Sequence, residues 1–282
     1  MTINDLFFLI FLISFVQPLL QQRALLIRRV RVMRAVEKER GSRMIALIHR
    51  QESLSFFGLP FARYIDIDDS AEVLRAIELT DPQVPIDLVL HTPGGLVLAS
   101  EQIAWALRKH PAKVTVMVPH YAMSGGTLIA LAADEILLAP SAVLGPVDPQ
   151  IGEYPAASIL AAVERKDANE TDDKTLILAD VSRKAMSQIH DAVVAMLTAG
   201  GRDADTADKL ARALSEGRWT HDYPITVEAA KELGLPVSAS LPQDVRQMIR
   251  LYPQPRGRQP SVEYIPQPYN RRSRGSIRSG YM

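Results

Sequence analysis

The stretch Ile86-Asp87-Leu88-Val89-Leu90-His91-Thr92-Pro93-Gly94-Gly95 decides how this chain is read. A second stretch follows the same plan about thirty residues later: Val114-Thr115-Val116-Met117-Val118, then Ala122-Met123-Ser124-Gly125-Gly126-Thr127. Each is a short apolar run with strand character, then a glycine-marked turn, then a stretch with helical spacing. Glycine turns free backbone N–H groups, and a helix N-terminus adds partial positive charge, so both turns suit an oxyanion. The second turn also carries the hydroxyl of Ser124. Two anion-binding turns and one candidate nucleophile point to acyl transfer, with peptide hydrolysis as the leading case.

Outward from these turns the alternation continues. Met44–His49 has the pattern of a first strand. Asp69–Leu79 is helical by the spacing of Ala71, Val73, Leu74 and Ile77, with Asp68, Asp69 or Ser70 as its cap. Helices are expected over Leu98–Lys109 and Gly125–Ala133, and a strand over Glu135–Leu138. Short apolar strands alternating with helices of about ten residues indicate βαβ units and a parallel sheet. Helical stretches then follow near Ala156–Arg165, Lys174–Leu197, Asp205–Leu214 and Thr226–Leu233. No internal repeat is visible.

The ends of the chain differ from this middle. Leu6 to Leu20 is uncharged and mostly apolar, and arginines crowd in from Arg23. A bilayer-spanning helix needs roughly 20 predominantly apolar residues. The run therefore predicts a single-pass N-terminal transmembrane helix, with the arginines holding the following domain in the cytoplasm. A cleaved signal peptide fits less well, because the basic n-region and a small-x-small site are missing. The expected organisation is a membrane anchor over 1–27, a charged, exposed linking helix over 28–43, the globular domain over 44–245 and a basic, disordered tail over 250–282. From Arg250 onward there are seven arginines and one acidic residue, Glu263.

Composition narrows the chemistry. The formal net charge is zero, which argues against a global nucleic-acid-binding surface. With no cysteine among 282 residues, disulfides, thiolate catalysis and thiolate metal sites are excluded. Neither a metal nor another cofactor is called for.

A serine nucleophile needs a base. His91 and His120 lie near the two turns, and His49 ends the first strand; His110, His190 and His221 lie near loops or on helices. His120 precedes Ser124 by only four residues across a tight turn, a poor geometry for a partner. His221-Asp222 looks like a pair, but sequence neighbours rarely orient each other. Lysine is the other base used with serine, once burial or a cationic neighbour lowers its pKa. Lys166 and Lys174 flank an acidic, solvated loop, and Lys209 and Lys231 sit on short polar helical stretches. Lys184 lies within the longest helical stretch among Asp180, Val181, Ser187 and Gln188, and spacing alone reads it as a solvated lysine. Asp148, in a Gly-Pro/Asp-Pro turn, reads as a structural residue.

The order Pro-Gly-Gly, a serine in a small-residue turn, then a lysine on a later helix resembles the Clp protease/crotonase superfamily. Within it the chain is similar to the serine dehydrogenase proteinases, relatives of the signal peptide peptidase A type of membrane serine protease. The words that carry the resemblance are His91-Thr92-Pro93-Gly94-Gly95, Ala122 to Thr127 with Ala130-Leu131-Ala132-Ala133-Asp134-Glu135-Ile136, and Leu144-Gly145-Pro146-Val147-Asp148-Pro149-Gln150. The resemblance implies an α/β fold, a Clp protease/crotonase-like βαβ spiral. It implies Ser124 as nucleophile, and an oxyanion hole from Gly94, Gly95 and Gly125. Clp proteases place a histidine where this chain reads Val147-Asp148-Pro149-Gln150, so a Clp-type triad is not expected. The lysine-using relatives point to Lys184, followed by Gly200-Gly201-Arg202, as the base of a Ser-Lys dyad, with Lys166 and Lys174 as competitors. The implied partners are a peptide or protein substrate, the membrane through the N-terminal helix, and further copies of the chain in a homo-oligomer. Two alternatives share the fold: a crotonase-like enzyme acting on an acyl-CoA thioester, and a non-catalytic membrane scaffold.

Overall fold

The computed structural model describes residues 3–49 and 64–252, with the side chains of 3–10, 12–15, 18 and 168 also outside the description. Helix α1 runs without a break from Ile3 to Arg40 and ends at Gly41, whose φ of +61° is the left-handed turn that glycine adopts without strain. The central sheet is built from runs that bury both faces, so its strands are continuous apolar segments rather than alternating ones. Strand β1 (Arg43–Ile48) leads to helix α2 (Ile67–Glu78). Strand β2 (Ile86–His91), buried at every position, leads to α3 (Val97–Arg108). Strand β3 (Val114–Val118) continues through the short β4 (Tyr121–Ala122) into α4 (Gly125–Leu131), and β5 (Glu135–Leu138) follows.

Next come β6 (Val143–Leu144), the hairpin β7 (Gln150–Ile151) and β8 (Tyr154–Pro155), α5 (Ala156–Glu164), α6 (Asp173–Ala199), α7 (Ala204–Ser215), α8 (Val227–Glu232), β9 (Val237–Ser238) and α9 (Gln243–Met248). The main sheet has the order β1-β2-β3-β5-β9, and every pair in it is parallel. One row across it reads Ala46, Val89, Met117, Leu137 and Ser238. Strand order that follows chain order, with a helix between neighbours, makes the chain a spiral of βα turns, as expected. Beside the main sheet, β4 pairs with β6, and single bridges join Thr92 to Ala122 and Leu144 to Ile225. This second row of pairings carries the glycine turns.

Most element boundaries fall within two residues of expectation. Helix α2 begins earlier because Asp66 is its cap: Asp66 accepts from the Asp69 N–H, and the Asp69 carboxylate accepts from the Asp66 N–H.

The expected linking helix over 28–43 forms as the end of α1, but it is not exposed throughout. Val36 is 1 % exposed within the core, and Val32 and Met33 pack against it. Arg40 grips the buried Asp87 with Nε (2.6 Å) and Nη2 (3.0 Å), with Ser42 donating to the same carboxylate. Arg29 donates to the Leu251 carbonyl and lies over the Tyr252 ring, fastening the helix to the end of the domain. Among the described residues no helix is long and apolar enough to cross a membrane. The run Leu6–Leu20 falls largely on side chains outside the description, and beyond it α1 is interrupted by Gln21, Gln22 and the arginines. The tail from Pro253 also lies outside the described residues.

Candidate active site

The two glycine turns are held side by side by backbone pairing. Thr92 N–H donates to the Tyr121 carbonyl (3.2 Å), and Met123 N–H donates to the Thr92 carbonyl (3.0 Å). Gly94 takes φ +108°, and a Cβ there would lie 2.8 Å from the Ser124 Cβ. Glycine is therefore required at position 94 both by conformation and by space. The Gly94 N–H donates to Thr92 Oγ1 (3.1 Å). That hydroxyl also lies 3.0 Å from His49 Nδ1, whose Nε2 is 3.1 Å from Asp69, so the turn is tethered to α2.

Ile65 runs alongside Gly94–Leu96. Its N–H donates to the Gly94 carbonyl and its carbonyl accepts from Leu96 N–H, both at 2.8 Å. That side of the Gly94–Leu96 turn is therefore occupied by the chain itself. In an extended segment successive backbone groups point to opposite sides, so the Gly95 N–H faces away from Ile65. Gly125 opens α4, where an N–H has no intrahelical acceptor. Among the described residues neither of these two N–H groups has a recorded acceptor. A Cβ built on Gly125 would stand 3.6 Å from the Gly95 nitrogen, so the two donors belong to one small space.

Ser124 lies between β4 and α4 with φ 51° and ψ −119°, the one positive-φ residue other than glycine among the described residues. Such a conformation costs on the order of 1–3 kcal/mol and is found where the surroundings impose it. Here a strand-to-helix turn lifts the hydroxyl out of the chain path, the device by which nucleophile elbows expose their serine.

Lys184 stands elsewhere. Its ammonium is paired with Asp180 one turn back on α6 at 2.5 Å, and its side chain is 69 % exposed. From α6 the cavity at Ser124 receives Ala185 and Ile189, not Lys184. Lys166 and Lys174 are exposed and do not line it either. The described chain thus does not assemble the expected Ser-Lys dyad. The physical reason is helical phase: one position along α6 turns the side chain from the cavity wall to solvent.

A different pair enters the cavity with Ser124. His221 Nδ1 lies 2.8 Å from Asp148 Oδ1, and both residues line the space that Gly95, Ser124 and Gly125 also line. Leu144 and Ile225 exchange backbone hydrogen bonds as an antiparallel pair. Asp148 lies four residues after the first, and His221 four before the second. The same register therefore brings them opposite each other. Asp148 is 2 % exposed. As an ionised carboxylate it only accepts, which assigns the ring proton to Nδ1 and leaves Nε2 as the basic nitrogen. The hydrogen bond to Asp148 raises the His221 pKa above its ordinary 6.5, against an opposing effect of burial; the charges of Asp148 and Asp222 add to the rise. Asp148 is thus more than a turn residue. Sequence reasoning noticed His221 beside Asp222, but the partner lies 73 residues away.

The cavity has a volume of about 400 Å³ and apolar walls from Leu96, Leu128, Val147 and Ile189. Among the described residues no lysine or arginine lines it. A larger cavity of about 970 Å³ adjoins it through Tyr64, Gly95 and Leu96, and it is lined by acidic residues at the start of α2, with no serine or threonine among the described lining residues. We place the chemistry in the smaller one. No cluster of histidine, aspartate or glutamate suited to a metal occurs among the described residues.

The parallel spiral with its serine turn defines a ClpP-like α/β protein. The chain belongs to the ClpP-like SDH-type serine proteinase family, whose model matches residues 1–277. It is similar to two uncharacterized proteins of Methanocaldococcus jannaschii. One is 53 % identical over 96 % of this chain and 93 % of its own length; the other is 51 % identical over 93 % and 92 %.

Proposed function

We propose that this protein is a serine peptidase in which Ser124 is the nucleophile, His221 the base and Asp148 the residue that orients the base. The observation that carries this reading is the convergence of Ser124, two N–H groups without recorded acceptors and a hydrogen-bonded Asp–His pair on one cavity. His221 Nε2 removes the Ser124 proton as Oγ bonds to the peptide carbonyl carbon, and Gly95 and Gly125 N–H hold the resulting oxyanion. On collapse the C–N bond breaks, and His221 returns the proton to the leaving amine. Water then hydrolyses the acyl-enzyme by the same proton path. The chain order serine, aspartate, histidine is that of α/β-hydrolases rather than chymotrypsin.

Among the described residues the cavity presents no lysine or arginine, whereas the phosphates of an acyl-CoA call for cationic partners. Labelling by a fluorophosphonate tests the reading. Wild type is expected to react, and Ser124→Ala and His221→Ala are not; a folded wild type that stays unlabelled would overturn it. The same proposal includes attachment to the membrane through the N-terminal apolar run, with the catalytic domain on the cytoplasmic side, and self-assembly. Carbonate extraction of membranes and light scattering of the detergent-solubilised protein test these two points.

A further inference from the structure

Gln150 opens β7 and also lines the cavity. Its side-chain Nε2 donates to Asp148 Oδ2 at 2.6 Å and lies 3.2 Å from His221 Nδ1. The two carboxylate oxygens of Asp148 are thereby divided: Oδ1 faces the imidazole and Oδ2 faces the amide. Among the described residues Gln150 is the one recorded donor to Oδ2. A carboxylate that is 2 % exposed has no solvent to replace a lost partner. We propose that Gln150 is a positioning residue for the proposed Ser124–His221–Asp148 site, fixing the carboxylate rotamer and drawing charge from it so that His221 is not over-stabilised as imidazolium.

The direction of its effect follows from the charges around the ring. Asp148 acts on His221 from the segment between β6 and β7, and Asp222 acts within the ring's own loop. Helix α6 offers the cavity only Ala185 and Ile189, α4 adds Leu128 beyond Ser124 and Gly125, and Tyr64 is the other titratable group on the wall. Among the described residues no lysine or arginine lines the cavity beside the Asp148 carboxylate, and the amide of Gln150 is what tempers it. Without that amide, His221 is the one described side chain left to pair with Asp148, and the ring holds its proton to higher pH. Gln150 is exposed as a residue, so its replacement leaves the core untouched.

The inference rests on the proposed function and is tested on the full chain by the pH dependence of the fluorophosphonate inactivation rate, which needs no known substrate. Gln150→Met keeps length and removes the donor. Its plateau rate is expected to fall about tenfold, the scale of one hydrogen bond to a charged group, and its acidic limb is expected to move to higher pH. Gln150→Glu, which sets a second carboxylate against Asp148, should move the limb further still. A Gln150→Met profile that superimposes on wild type overturns the inference, as does a lower plateau with an unmoved limb, the signature of a merely structural residue. Should Gln150→Met fail to fold, an unmoved limb in Gln150→Glu overturns it equally. If His221→Ala inactivates the protein while both Gln150 variants match wild type, only the positioning role fails. If His221→Ala reacts like wild type, the proposed site itself fails.

Discussion

Lys184 and His221 present the two ways this fold could supply a base, and they differ in every physical respect that matters. Lys184 sits on a 27-residue helix, exposed, with a carboxylate one turn away. His221 sits in an irregular segment, half-buried, hydrogen-bonded to an acid that solvent hardly reaches. An exposed ion pair on a helix is screened by solvent and contributes little to the fold. A buried carboxylate instead fixes the tautomer of its partner and readies the opposite nitrogen. Helical phase alone separates Lys184 from Ala185, which does reach the cavity.

Four outcomes would break or sharpen this contrast. The largest belongs to the base itself: His221→Ala is expected to lower the rate of acyl transfer by about 100- to 10,000-fold, the range of general-base contributions. Single-turnover kinetics would measure it, and a variant retaining wild-type rate would return the role to another residue. Next, Gly94→Ala forces a Cβ to within 2.8 Å of the Ser124 Cβ at a φ of +108°. The displaced turn should cost about 100- to 1,000-fold in turnover, as loss of an oxyanion donor does.

A smaller, graded effect is the pH profile. Because His221 is raised above 6.5, activity should climb with pH through a midpoint above that value, and a midpoint below it would contradict the Asp148 contact. The sign for stability is opposite. A histidine raised by folding stabilises the protein fully below its ordinary pKa, and that contribution is lost as pH rises through the raised one. The pair therefore gives up stability in the window where it becomes competent as a base. Last, Lys184→Ala should change turnover less than twofold and shift stability by at most about 0.5 kcal/mol. Loss of activity there, with the fold intact by circular dichroism, would restore the lysine.

The same contrast explains what was legible in the sequence. Strands such as β2 and β3 could be read because a parallel sheet buried on both faces demands uninterrupted apolar runs. The glycine turns were legible because Gly95 and Gly125 sit at strand-to-helix junctions, where backbone N–H groups are freed. Resemblance then pointed to Ser124 and to Lys184, of which the described cavity receives Ser124. Asp148 and His221 lie in segments without periodicity, joined by a Leu144–Ile225 pairing that no local pattern announces. The docking of α1 was hidden for a related reason: Val36 and Arg40 sit in a charge-rich stretch, and their partners are contributed by distant strands and by the domain's end.

The register that joins residues 144 and 225 also sets an order of events during synthesis. His221 follows Ser124 by 97 residues. As the chain leaves the ribosome N-terminus first, the nucleophile and both oxyanion glycines emerge well before the imidazole does. At that stage a nascent chain carries Ser124 without the base proposed for it. The proposed hydrolytic competence arrives with the closing turn of the spiral, after nearly all of the domain has been made.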